Sequence, residues 1–234
     1  MARESCLERE AFCGILDIMS NKGKELLIWV LIAAGLGAIV LGIYAVIATP
    51  AKTNGVAERL IVPVSEQDHK RGGAGAKAVL VEYSDLQCPA CKYFYGMVKQ
   101  LEQEKGDAVQ VVYRHFPLQQ HQYARNAAIA AEAAGRQGKF WEMHDLLFEK
   151  QDEWAKSENI QQTLVGYATL LKLDIGRFMG DTQAKELADK VEQSVAEGTT
   201  QGIQGTPTFY LNGKLVQFRS YEELKGLVDR ELGK

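Results

Sequence analysis

Three common chemistries find little to work with in these 234 residues. The charges nearly cancel, with 30 acidic against 27 basic residues and a formal net charge of −3, so there is no basic footprint for nucleic acid. There are only four cysteines, and they fall into two pairs, Cys6 with Cys13 and Cys88 with Cys91, on either side of a hydrophobic segment. A zinc centre would need further nitrogen or sulfur ligands beside either pair. The four histidines, His69, His115, His121 and His144, offer none at a His-x-x-x-His spacing. Haem attachment is excluded because Lys92, not histidine, follows Cys91. No internal repeat and no low-complexity tract interrupts the chain.

Charge is also missing from the whole of residues 26–48, a stretch of 23 residues. At about 1.5 Å per residue that length spans a hydrocarbon core with some tilt, and it predicts a transmembrane helix. Trp29 and Tyr44 lie near its two ends, where amphipathic rings favour the interface, and Pro50 marks its exit. The competing reading is a cleavable signal peptide with Ala48 as the small residue, but the apolar run exceeds the usual signal core of roughly 7–15 residues. Arg3, Arg9, Lys22 and Lys24 precede the segment while only Lys52 and Arg59 follow it closely, which places the N-terminus inside. Residues 1–25 are then a cytoplasmic tail, and Cys6 and Cys13 are reduced thiols with no special role or lipidation-competent sites. Ala34, Ala38 and Gly42 form a row of small residues suited to close helix packing.

Against this background one short motif stands out, Cys88-Pro89-Ala90-Cys91. The apolar run 78–83 reads as a strand, 84–87 as a turn, and 92–105 carries apolar residues at helical spacing. The motif therefore opens a helix. Pro89 suits the first helical position, where its missing N–H would have been an orphan donor. Cys88 becomes the N-cap, its sulfur facing unpaired N–H groups that favour a thiolate and make it the nucleophile. Cys91, one turn on, is less exposed and resolves the exchange by closing the disulfide. A purely structural bridge between cysteines three apart would close too small a loop to remove much chain entropy.

Residues 49–77 read as an extracytoplasmic tether with an edge strand at 60–64, limited to an edge by Pro63. Strand, helix and strand follow at 79–83, 88–105 and 109–115, the start of an α/β unit. A helical block covers 122–138, 140–149 and 160–173, and another helix 181–197. Strands at 208–211 and 214–218 flank Asn212-Gly213, a strong hairpin signal, and a helix over 221–232 closes the chain.

The segments Asp68-His69-Lys70-Arg71-Gly72, Val81-Glu82-Tyr83-Ser84-Asp85-Leu86-Gln87-Cys88-Pro89-Ala90-Cys91, Arg114-His115-Phe116-Pro117-Leu118 and Gly205-Thr206-Pro207-Thr208-Phe209 resemble the DsbA family of thioredoxin-fold oxidoreductases, and its membrane-anchored bacterial branch in particular. The resemblance implies a thioredoxin-like α/β fold over 78–234 with a helical domain inserted at about 119–180. It implies that Pro207 is a cis-proline, which sets Thr206 beside the cysteines with backbone groups free to pair with a bound peptide. It puts Glu82 at a buried acidic position beneath the disulfide, where a raised pKa suits it to exchange a proton with Cys91; the alternative for a Glu near a strand end is to reach solvent. Asp85 and the histidines are expected at the surface or in turns.

The expected activity is extracytoplasmic thiol-disulfide exchange that gives the Cys88–Cys91 disulfide to reduced exported proteins, with no cofactor and with a membrane redox partner for reoxidation. Two readings stand beside it. One is a reductase or isomerase of the same chemistry, since the Pro-Ala dipeptide leaves the direction open. The other is a thiol metal chaperone or peptide-binding module without turnover.

Overall fold

The computed structural model describes residues 21–48 and 55–233. Cys6, Cys13 and most of the N-terminal tail lie outside the described residues, as do residues 49–54 of the tether. The chain divides into two units, 1–54 and 55–234.

In the first unit, α1 (Asn21–Ala48) is one helix of 28 residues. It exposes Leu26, Trp29, Leu36 and Leu41. Among the described residues no helix is long and apolar enough to cross a membrane.

The second unit is built on a five-stranded sheet in the order β1-β3-β2-β4-β5. The runs rich in Val and Tyr form the two central strands, β2 (Ala78–Ser84) and β3 (Val109–His115), which pair in parallel. Their connection is α2 (Pro89–Lys105), the crossover helix that a parallel pair requires. β4 (Thr208–Leu211) runs antiparallel to β2 and turns at Asn212-Gly213 into β5 (Lys214–Val216). Asn212 and Gly213 both have positive φ, 47° and 75°, the conformation that a tight hairpin demands of its two central residues.

The other edge differs from the sequence expectation. Residues 60–64 form no strand: Arg59 makes one isolated bridge to Lys214, and the edge strand is β1 (His69–Gly72), antiparallel to β3. The apolar side chains of Leu60 and Val64 pack against the sheet instead. The carbonyls of Val62 and Pro63 accept from the Arg114 guanidinium at 3.0 and 2.9 Å, and the same group pairs with Asp68 at 2.7 Å. Chain that reads as a tether is thus part of the domain from residue 55, and Ala57 already donates to the Gln201 carbonyl.

Alternation along β2 and β3 separates two faces. Val81, Tyr83 and Val112 pack with Phe116, Ile203 and Tyr210 on one side. That side is covered by α8 (Lys185–Thr200), which approaches closely because a Cβ on Gly198 would stand 2.5 Å from the Phe116 ring. On the other face Leu80 and Val111 pack under α2 and α9 (Tyr221–Glu231). Farther along that same face, Glu82, Ser84, Tyr113 and His115 are all buried. Between β3 and α8 the chain adds five helices: α3 (Ala124–Gly135), α4 (Phe140–Glu149), α5 (Gln151–Trp154), α6 (Ile160–Leu170) and α7 (Ile175–Thr182). Their core joins Trp154, Phe148 and Met143 to Leu86, Cys88 and Cys91, so the helical block seats directly against the motif.

Candidate active site

Cys88 is the N-cap of α2, in extended conformation with φ −73° and ψ 124°, and Pro89 follows as the first helical residue. Both cysteines are free thiols. Cys88 retains 7% of its surface and Cys91 none, an asymmetry that lets a substrate reach one sulfur only. The neighbouring Cys91 side chain is the largest influence lowering the Cys88 pKa, to about 5. The backbone N–H groups of Cys91 and Ala90 add to it, so the helix terminus contributes as the sequence implied but is not the leading cause. Burial and the neighbouring Cys88 push the Cys91 thiol far up, which keeps it protonated while Cys88 ionises.

The Thr206–Pro207 peptide bond is cis. Thr206 sets its carbonyl 3.5 Å from Cys88 Sγ as acceptor for the thiol. Its buried hydroxyl, which has no ordinary hydrogen-bond partner, also favours the thiolate. Cys88, Cys91, Thr206 and Pro207 are therefore brought together from sequence positions more than 110 apart.

Glu82 is 3% exposed, which rules out the alternative of a strand end reaching water. Burial raises its pKa to about 7, with the nearby Ser84 hydroxyl opposing.

Asp85 lies in the turn, one of the two places expected for it, but it is buried there and holds the active-site turn together. Its carboxylate accepts from the N–H groups of Gln87 and Leu118 at 2.7 and 2.8 Å and pairs with His121 at 2.7 Å. Its own N–H reaches Cys91 Sγ at 3.5 Å, and its carbonyl accepts from the Cys88 N–H. Of the histidines, His115 and His144 are buried as well. Glu132 draws the first inward: on an alanine-rich helix, its carboxylate sits 2.8 Å from His69, 3.4 Å from His115 and 2.7 Å from Lys190. Burial opposes its ionisation, but His115 and His69 hold it well below the usual carboxylate range. His144 is kept neutral by burial, its pKa lowered to about 4 despite Asp145 at 2.9 Å.

One further residue carries no sequence signal. Gln151 on α5, 3% exposed, donates to the carbonyls of Leu86 and Cys88 at 2.8 and 3.0 Å. It ties the helical block to the residue that bears the nucleophile. Glutamines at the start of a short helix are ordinary, and only the fold reveals its partners.

Residues 64–230 match the family model described as Thioredoxin. Solved structures agree. BdbD from Bacillus subtilis (oxidised) is 26% identical with a TM-score of 0.66, covering 78% of this chain and all of that one. A thioredoxin-like oxidoreductase from Silicibacter pomeroyi is 27% identical with a TM-score of 0.61, over 73% of this chain and 95% of that one. Among curated proteins, the Na(+)/H(+) antiporter NhaA 3 of Salinispora tropica is 41% identical over 157 residues. That match takes in 66% of this chain but only 23% of the antiporter, so the chain spans about a quarter of the curated relatives' length. The chain belongs to the thioredoxin family, with the fold of the DsbA-like thiol-disulfide oxidoreductases.

Proposed function

We propose that the protein is an extracytoplasmic oxidase of protein thiols that transfers the Cys88–Cys91 disulfide to reduced exported proteins. The observation that carries this reading is the split between the two sulfurs, a Cys88 favoured as thiolate at about 5 above a buried, protonated Cys91. An anion stabilised only in the dithiol form favours reduction of the enzyme, which makes its disulfide an oxidant.

A substrate thiolate attacks Cys88 Sγ, the Cys88–Cys91 bond breaks, and its electron pair passes to Cys91, which takes up a proton. Glu82 supplies that proton, its carboxyl being close to half ionised at neutral pH. A second substrate thiolate then attacks the substrate sulfur of the mixed disulfide and releases Cys88 as thiolate. The main chain at Thr206, beside Cys88, supports pairing with an extended substrate segment. No cofactor enters these steps. A membrane redox partner reoxidises the pair.

The uncharged run 26–48 supports an uncleaved membrane anchor with residues 1–25 cytoplasmic, residues 49–54 leading outward and the domain of 55–234 on the oxidising side. The lipid bilayer is then a partner through 26–48.

Oxidation of a reduced dithiol peptide tests the reading. Wild type forms the peptide disulfide at the expense of its own and Cys88→Ser forms none, whereas Cys91→Ser, its Cys88 first converted to the glutathione mixed disulfide, releases glutathione to a single-thiol peptide and accumulates a covalent enzyme–peptide adduct on a non-reducing gel. Trapping through Cys91 in the Cys88→Ser protein would reverse the roles.

A further inference from the structure

Ser84 and Tyr113 have no part in the steps above, yet they surround the proton that those steps move. Both are buried on the sheet face that carries Glu82, with Tyr113 directly opposite Glu82 in the β2–β3 register. Ser84 follows Glu82 on that face, the N–H of the next residue, Asp85, reaches Cys91 Sγ at 3.5 Å, and the Ser84 hydroxyl favours the ionised form of the Glu82 carboxyl, the Cys91 thiol and the Tyr113 hydroxyl. Ser84 Oγ, Glu82 Oε1 and Tyr113 OH nevertheless form no hydrogen bond of ordinary length. Three neighbouring polar atoms left in this state are a stability liability with no structural return. Tyr113 also borders a polar cavity lined by His69, His115, Glu132 and Lys190, which gives the cluster an outlet away from Cys88.

We propose that Ser84 is the proton carrier between Glu82 and Cys91, and that Tyr113 positions the Glu82 carboxylate and returns its proton from the cavity. This rests on the exchange chemistry proposed above, in either redox direction. When the Cys88–Cys91 bond breaks, its electron pair goes to Cys91 Sγ. Cys91 takes the Ser84 hydroxyl proton while Ser84 takes that of neutral Glu82. The carboxylate left behind takes the Tyr113 proton as Tyr113 regains one from the cavity side. Closing the disulfide runs the same transfers backwards. The other ionisable groups facing this point are Glu102 on α2 and Arg71 on β1, which act on Glu82 in opposite senses, together with His115 on β3, His144 on α4 and Asp85 in the turn.

The test uses the full-length reduced protein and glutathione disulfide. Attack by Cys88 gives a glutathione mixed disulfide, and attack by Cys91 then closes the enzyme disulfide, so rapid acid quench separates the two rates. Ser84→Ala is expected to slow closure at least about tenfold near pH 7, with a changed solvent deuterium isotope effect, and Ser84→Thr to restore it. Tyr113→Phe is expected to slow closure several-fold and shift its pH profile, while the first attack stays within about twofold in each variant. Thermal unfolding should find Ser84→Ala and Tyr113→Phe at least as stable as wild type, since each removes an unpaired buried hydroxyl. Closure rates and pH profiles unchanged in both variants would overturn the relay. Failure of wild type to form the mixed disulfide would instead overturn the exchange reading on which it rests.

Discussion

Replacing Glu82 by glutamine should make the reduced protein more stable above neutral pH and leave it nearly unchanged in acid. Glu82 is raised from 4.5 to about 7 because its charged form is desolvated. A carboxyl raised on folding contributes stability that is fully present below its unfolded value and is lost as pH climbs through the folded one. The window is therefore pH 4.5 to 7, and at about 1.4 kcal/mol per pKa unit the loss is about 3 kcal/mol. Glu82→Gln has no proton to lose, so the variant should gain about 3 kcal/mol over wild type at pH 8 and about nothing at pH 4. Cys88 acts in the opposite sense: its lowered pKa adds stability above its ordinary value of 9.0, and that stability is lost as pH falls through about 5. Subtracting wild type from variant removes this contribution as far as the two groups titrate independently. Urea unfolding followed by far-ultraviolet dichroism at a series of pH values gives the difference directly. Equal pH dependence in the two proteins would mean that Glu82 titrates as an ordinary carboxyl, and its role as proton donor to Cys91 would fall.

Gly198→Ala places a methyl group 2.5 Å from the Phe116 ring and should cost about 1–3 kcal/mol through displacement of α8, outweighing the better helix propensity of alanine; urea midpoints measure it. Membranes bearing the protein should keep it through a carbonate wash, and protease added outside should digest the thioredoxin domain while sparing roughly the first 20 residues. Release of a shorter soluble form would favour cleavage near Ala48.

How much of this was legible beforehand depended on how local its cause was. β2, β3 and the β4–β5 hairpin declare themselves through apolar runs and Asn212-Gly213, and the N-cap place of Cys88 follows from Pro89 alone. β1 does not, because an edge strand paired on one side carries the polar residues His69, Lys70 and Arg71, whereas the apolar stretch 60–64 imitates a strand while serving to pack against the sheet and to seat the Arg114 guanidinium. α5 and α7 are short, although Asp174 capping the N–H of Arg177 at 2.9 Å was a readable start for α7. The burial of Asp85 and His115 was hidden because the groups that meet them are distant in sequence: Leu118 and His121 bond to Asp85, and Glu132 lies 3.4 Å from His115; His144 is buried with its neighbour in sequence, Asp145, as partner. The Cys88 thiolate is a different case: its leading support is the Cys91 side chain three residues on, and not the helix terminus that sequence spacing emphasises.

The reduction potential of the Cys88–Cys91 pair, measured by equilibration with glutathione buffers from pH 5 to 8, tests the proposed direction most directly. A Cys88 pKa of about 5 in place of 9.0 stabilises the reduced form at pH 7 by two pKa units, about 60 mV for a two-electron couple, and by nothing once pH falls to about 5. The expected result is a potential less negative than that of glutathione at pH 7, with an advantage over an ordinary dithiol that shrinks towards pH 5. A potential more negative than glutathione, with a pH dependence showing no ionisation of Cys88 across that range, would contradict the oxidase reading and assign the pair to reduction.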